Sequence, residues 1–157
     1  MIRLATVDDV PVIHALIRGL ADYEKLLHEV VATEDDLRRT LFGARPYAEV
    51  LIAEPAGQAA GFALFFHNYS TFLGRPGIYL EDLFVRPEAR GQGVGRALMI
   101  AIAKLAVERG CGRFEWAVLD WNVDAIGFYR ALGAIGMDAW RVQRVTGDAL
   151  VKLAAES

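Results

Sequence analysis

The sequence predicts a mixed α/β protein, with one central mixed β-sheet flanked by helices in a single domain over residues 1–157. Three observations carry that expectation. A chain of 157 residues with 54% hydrophobic content suits one core rather than two. Strand-like and helix-like hydrophobic periods alternate along it. Single helices separate successive strands in the second half, which calls for crossovers and so for parallel pairs beside antiparallel ones.

Ile2 to Ala5 alternates and opens as a strand. Thr6 and Asp9 have the spacing of a helix N-cap pair, and Pro11 is tolerated in a first turn. Ile13, Leu16, Ile17 and Leu20 then recur at helical spacing. Thr33 with Asp36 starts a shorter helix carrying Leu37 and Leu41, ended by Gly43 to Pro46. Ala48 to Ala53 and Gly61 to Tyr69 read as strands around a turn at Pro55 to Gly57. Ser70 to Gly77 reads as a loop, and Ile78 to Val85 as a third strand of this group, apolar except for two central acids. A helix from Val94 to Glu108 ends at Gly110 and Gly112. Phe114 to Leu119 is expected as a strand and Asp124 to Leu132 as a helix closed by Gly133. Trp140 to Val145 is expected as a last strand, and Asp148 as the cap of a terminal helix through Leu153.

Composition excludes several classes. With 20 acids against 17 Lys and Arg, the net charge of −3 argues against a nucleic-acid partner, which requires a basic stripe. The single cysteine, Cys111, forbids an intrachain disulfide and a Cys-rich zinc site. His14, His28 and His67 show no metal-ligand spacing, so no metal is expected. The apolar run Ala97 to Ala103 is far too short to span a bilayer, and Asp8 and Asp9 spoil a signal peptide. A cytoplasmic protein with no membrane partner is the expectation.

Arg90-Gly91-Gln92-Gly93-Val94-Gly95-Arg96 lies between a strand and a helix. Successive backbone N–H groups at such a junction form an anion nest, and the helix N-terminus adds about half a positive charge. Arg86, Arg90 and Arg96 flank it against only Glu88. These features describe a diphosphate cradle; the alternative is a glycine-rich helix start that binds nothing. The Gly-Lys-Ser/Thr of a P-loop is absent. The dinucleotide pattern fails as well, because the sixth position from Gly91 is Arg96 and from Gly93 is Leu98.

Glu81 and Asp82 interrupt an otherwise apolar strand. Strict alternation places Glu81 with Tyr79 and Leu83 on one face and Asp82 on the other. A buried unpaired carboxylate costs several kcal/mol, so at least one acid needs a partner, a cavity or a raised pKa. An ion pair with an arginine is expected for Asp82 and a pocket wall for Glu81. Further along, Asn122 precedes Tyr129 by two helical turns, roughly 10 Å on about the same face. Taken alone, these two read as a cap and a core aromatic.

Together these segments resemble the Gcn5-related N-acetyltransferase (GNAT) superfamily, whose acetyl-CoA signature is Arg/Gln-x-x-Gly-x-Gly/Ala after a strand. Over nearly the whole chain the resemblance is to its diamine (spermidine/spermine) acetyltransferase branch, and within that to thialysine acetyltransferase-like members. It is carried by Tyr23-Glu24, Tyr79 to Asp82, Arg90 to Gly95, Ala117 to Asn122 and Tyr129 to Ala134. It implies the GNAT fold and, as co-substrate, acetyl-CoA. Leu83, Phe84 and Val85 would then pair their backbone with the pantetheine arm. Arg90, Gly91, Gln92, Gly93, Val94, Gly95 and Arg96 would hold the diphosphate. Asn122, Asp124 and Ala125 would lie near the thiol. Tyr129 would be the general acid and Glu81 the base, through water. Tyr23, Glu24, Glu81, Asp82 and Asp138 would line the amine site. The branch is typically homodimeric. The polyamine enzymes carry an acid and a Trp where this chain reads Ser70-Thr71-Phe72, which favours a shorter amine or a lysine-like amino acid.

The implied substrate is a small primary amine. An alkylammonium has a pKa near 10.4, so freeing the nucleophile at neutral pH costs about 4 kcal/mol, which a nearby carboxylate reduces. Cys111 follows a helix C-terminus, which disfavours a thiolate, so attack is expected to be direct. Two other readings stand beside this one: acetylation of a protein lysine or N-terminus, and a non-catalytic acyl-CoA-binding module.

Overall fold

The computed structural model describes residues 1–157. By its internal contacts the chain divides into residues 1–117 and residues 118–157, and each unit is described by itself.

The first unit holds a five-stranded sheet of β1 (Ile2–Leu4), β2 (Glu49–Ala53), β3 (Gly61–Ser70), β4 (Arg75–Val85) and β5 (Phe114–Trp116), in that spatial order. The first four strands are antiparallel neighbours, while β5 runs parallel to β4 after a helical crossover. The sheet is therefore mixed, as expected. Helices α1 (Val10–Tyr23), α2 (Glu34–Leu41) and α3 (Val94–Glu108) complete the unit. Both expected N-terminal signals form capping boxes, Thr6 with Asp9 and Thr33 with Asp36. The first caps a 3₁₀ turn that leads into α1. Asp9 also takes a two-pronged ion pair from Arg3, each bond 2.8 Å, which lowers its carboxyl to about 2.

Val10, Ile13 and Leu16 of α1, with Leu37 and Leu41 of α2, pack on Val50, Ile52, Phe62 and Phe84. This is one sheet face. Phe65 lies on the other with the C-terminus of α3, where the Arg109 guanidinium sits 6.0 Å from its ring centroid. Arg109 also grips Glu49 through two bonds of 2.7 and 2.9 Å and reaches His67 Nε2 at 3.0 Å. His67 Nδ1 lies 2.9 Å from the Gly77 carbonyl, so one latch ties α3 to β2, β3 and β4.

The expected loop at 70–77 is shorter than the sequence suggests, because β4 already begins at Arg75. Gly77 permits this: a Cβ there would collide with Asn68 Oδ1 across the ladder. The expected strand at 114–119 stops at Trp116.

The second unit consists of α4 (Val123–Ala131) and α5 (Gly147–Ala154) with connecting chain. Gly133 ends α4 in the left-handed region, φ 96°, as its position predicts. The expected strand at Trp140 to Val145 does not form. Trp140 to Gln143 alternates, but residues 141–146 donate no main-chain hydrogen bond to any other backbone carbonyl. Strand propensity without a neighbouring ladder makes no strand. The cap of α5 is Thr146 rather than Asp148, which falls inside the first turn.

Candidate active site

The glycine segment turns β4 into α3. Gly91 and Gly93 adopt φ of 74° and 80°, and a Cβ on either would meet nothing within 4 Å. A left-handed backbone facing open space is what glycine supplies most cheaply. The N–H groups of residues 91 to 96 donate to no acceptor within the chain; the first helical bond runs from Ala97 N–H to the Gly93 carbonyl, 2.9 Å. Gly93, at the N-cap, has no side chain to satisfy them. Val94 is buried and anchors the turn, while Gln92 and Arg96 are exposed. These unpaired donors at a helix N-terminus fit an anionic diphosphate.

Upstream of this turn, β4 offers an open edge. β5 pairs only with Ile78, Tyr79 and Leu80, so Leu83, Phe84 and Val85 lie beyond its reach. The Phe84 side chain is buried against α1, where a Cβ on Gly19 would lie 2.8 Å from its ring. Only its main chain is left to serve a ligand. The Val85 carbonyl accepts from Arg90 Nε at 2.9 Å.

The two acids sit on an irregularity absent from the expected pattern. Leu64 pairs with Asp82 but Phe65 pairs with Leu80, so Glu81 is the extra residue of a β-bulge. The register carries Tyr79, Asp82 and Phe84 on one face, opposite Phe66, Leu64 and Phe62, and leaves Leu83 on the other. The expected sharing of one face by Tyr79, Glu81 and Leu83 is thereby corrected, since an inserted residue breaks the pleat's alternation. Tyr79 stacks near Phe66, centroids 5.4 Å apart, which agrees with that register.

The expected ion pair for Asp82 is also overturned. No basic side chain pairs with it. Burial first, then the nearby charges of Glu81 and Glu24, push its carboxyl up to about 7. Burial raises Glu24 too. Tyr79 is raised by burial and by Glu81 and Glu115. Glu81 itself is exposed. Three carboxylates therefore gather at the end of α1 and the β4 bulge, and burial with the neighbouring charges of Glu81 and Glu24 raises Asp82 among them. Such a group favours a cation. Tyr23, 40% exposed, lies beside them, with the Arg90 guanidinium 4.8 Å from its ring centroid and 5.5 Å from that of Phe84.

In the second unit, Asn122 caps α4 by accepting from Ala125 N–H at 3.2 Å. Asp124 is exposed in the first turn. Tyr129 is half-buried, its ring 5.4 Å from that of Phe128. Asp138 is exposed and its carboxylate overhangs Gly136, where a Cβ would lie 2.8 Å from Oδ1.

The family model "Acetyltransferase (GNAT) family" matches residues 17–134, which include the turn, the bulge and Tyr129. The chain belongs to the GNAT acetyltransferase family. L-ornithine N5-acetyltransferase NATA1 of Arabidopsis thaliana is 40% identical, covering 95% of this chain and 85% of that protein. Thialysine N-epsilon-acetyltransferase of Bos taurus is 41% identical over 99% and 98%. Among solved structures, an integron cassette protein from the mobile metagenome of V. cholerae superposes with a TM-score of 0.81 at 27% identity, covering 99% of this chain and 98% of that one. The fold is thus that of a GNAT acyltransferase, and the chain is an acetyltransferase of the branch that includes thialysine acetyltransferases.

Sequence reasoning missed the bulge and the stacking of Arg90 on Tyr23. The stacking has no local marker, because the end of α1 and the turn after β4 meet only in the folded chain. A signal for the bulge did exist: two adjacent acids in one apolar strand cannot both satisfy a regular pleat with a single wet face.

Proposed function

We propose that this enzyme transfers acetyl from acetyl-CoA directly to the primary amine of a small cationic substrate, a diamine, polyamine or lysine-like amino acid. The observation that carries the proposal is the juxtaposition of two elements on β4. A row of unpaired N–H groups follows its C-terminal end, and three carboxylates gather at its bulge.

Acetyl-CoA supplies the acyl group as a thioester. The N–H groups of residues 91 to 96 hold its diphosphate, with Arg90 and Arg96 beside them, and the main chain of Leu83, Phe84 and Val85 receives the arm. Asn122, Asp124 and Ala125 contact the arm nearer the sulfur. Tyr23, Glu24 and Asp82 hold the cationic amine, and the resemblance gives Asp138 a substrate-binding role as well. Glu81 accepts the ammonium proton through water, the neutral nitrogen bonds to the acyl carbon, and the carbon–sulfur bond breaks. Tyr129 gives its proton to the departing sulfur and takes back the second proton that the new amide nitrogen sheds. A main-chain N–H of β4 supports the charge that develops on oxygen. Members of this chain's own branch act, by their names, on ornithine and thialysine, which supports a diamino acid as acceptor. The homodimer belongs to the same proposal. The exposed Trp140 and Val142, at the start of a segment outside any strand or helix, support it. A soluble cytoplasmic setting completes the reading, with support from the lack of any helix long and apolar enough to cross a membrane.

An acceptor panel of thialysine, lysine, ornithine, putrescine and spermidine, scored by thiol release, tests the proposal. Turnover on small amines is expected, with the diamino acids preferred. Turnover confined to peptides would transfer the reading to protein acetylation. Tight acetyl-CoA binding with no thiol release on any amine would leave only a binding module.

A further inference from the structure

We infer that Arg90 is a positioning residue that couples the two substrates, its charged face resting on Tyr23 at the amine site while its free edge meets the coenzyme's diphosphate. The inference rests on the acetyltransferase reading above and goes beyond it by assigning the communication between the two sites to one side-chain pair.

The geometry carries it. The guanidinium lies 4.8 Å from the Tyr23 ring centroid and 5.5 Å from that of Phe84. Its Nε donates to the Val85 carbonyl at 2.9 Å, which fixes the fork relative to β4. Its terminal nitrogens make no hydrogen bond or ion pair within the chain. An arginine held by its face and its inner nitrogen keeps its outer donors for a planar or tetrahedral anion. The residues that follow supply the anion site through their unpaired N–H groups. The ring beneath belongs to the last residue of α1, and the next residue is Glu24, whose carboxyl is close enough to raise that of Asp82.

One side chain thus touches a wall of each pocket. A diphosphate that orders the Arg90 edge also orders its face, and with it the Tyr23–Glu24 end of α1. Amine binding then finds that wall already set. By reciprocity, the amine must raise affinity for the coenzyme by the same factor. Cation–π contacts at partly exposed sites are modest, so a coupling of about three- to tenfold is expected.

Calorimetry with coenzyme A and thialysine reads this directly, because the coenzyme lacks an acyl group and no turnover occurs. The quantity of interest is the ratio of the thialysine Kd without coenzyme A to that with saturating coenzyme A. In the parent enzyme that ratio is expected at about three to ten. Tyr23→Phe keeps the ring and should keep the ratio. Tyr23→Leu and Arg90→Gln should each bring it to about one, whatever they do to the separate affinities. A purely structural role would alter the affinities and leave the ratio intact. A ratio of one in the parent, or an undiminished ratio in Tyr23→Leu, overturns the inference while the acetyltransferase reading stands. Failure of the parent to bind coenzyme A at all overturns both.

Discussion

The units 1–117 and 118–157 use apolar residues in opposite ways. In the first, Val10, Ile13, Ile52 and Phe62 are fully shielded from solvent, and each contacts a shared cluster. In the second, Ile135, Trp140 and Val142 remain 80%, 77% and 81% exposed, and neither helix contains a buried residue. Helix α5 is as amphipathic as α1, yet it buries none of its residues. What separates the units is the ladder. A strand pattern becomes a strand when its amides find partners, and residues 141–146 do not find them within the backbone.

That contrast can be broken most sharply by truncation. Phe62→Ala removes a fully buried ring from the first unit and should cost about 3–5 kcal/mol in urea denaturation. Trp140→Ala should move the same midpoint hardly at all, since its ring is mostly in water. A large loss in Trp140→Ala would show that this side chain is covered in solution. The next test concerns chemistry contributed by the sparsely packed unit. Tyr129→Phe should lower kcat about a hundredfold with little change in coenzyme A affinity, measured by stopped turnover and calorimetry. Equal turnover would remove Tyr129 from proton transfer and return it to packing.

A pH series separates the units further. Asp82 has a folded-state pKa of about 7, above its ordinary value near 4, so the folded protein binds a proton that the unfolded chain releases. Stability relative to Asp82→Asn should be constant below pH 4 and fall as pH rises toward 7. Above 7 it should level off. Thialysine affinity in the parent should strengthen over the same upper range as the carboxylate ionises. A flat difference between parent and Asp82→Asn would place this acid in water. The smallest effect is expected at a helix start. Asn122→Ala removes the cap on Ala125 N–H and should cost about 1 kcal/mol of local stability, read by hydrogen exchange across α4.

The sequence made the first unit largely legible. Capping boxes at Thr6 and Thr33, the apolar stripe of α3 and the apolar runs of β2 and β3 are local signals, and the structure realises each of them. The glycine turn was legible for the same reason, because Gly91 and Gly93 mark the junction of a strand with a helix. Trp140 to Val145 was misread because propensity says nothing about whether a neighbour is present. Asp82 was misread because its environment is set by residues far away in sequence. Glu24 approaches it from the end of α1, and no arginine does. Long-range placement of charge is the part of a site that periodicity does not encode.

Glu81 has a peculiar standing in all of this. Every other residue from Arg75 to Val85 has a partner on β3, and the two flanking stretches keep their own faces whether or not Glu81 is there. Count parity along the strand would be regular without it. Cross-strand pairing therefore makes no demand on the identity of that side chain. A chain lacking Glu81 should still assemble the same sheet, with the same partners, and lose only what the surplus carboxylate contributes.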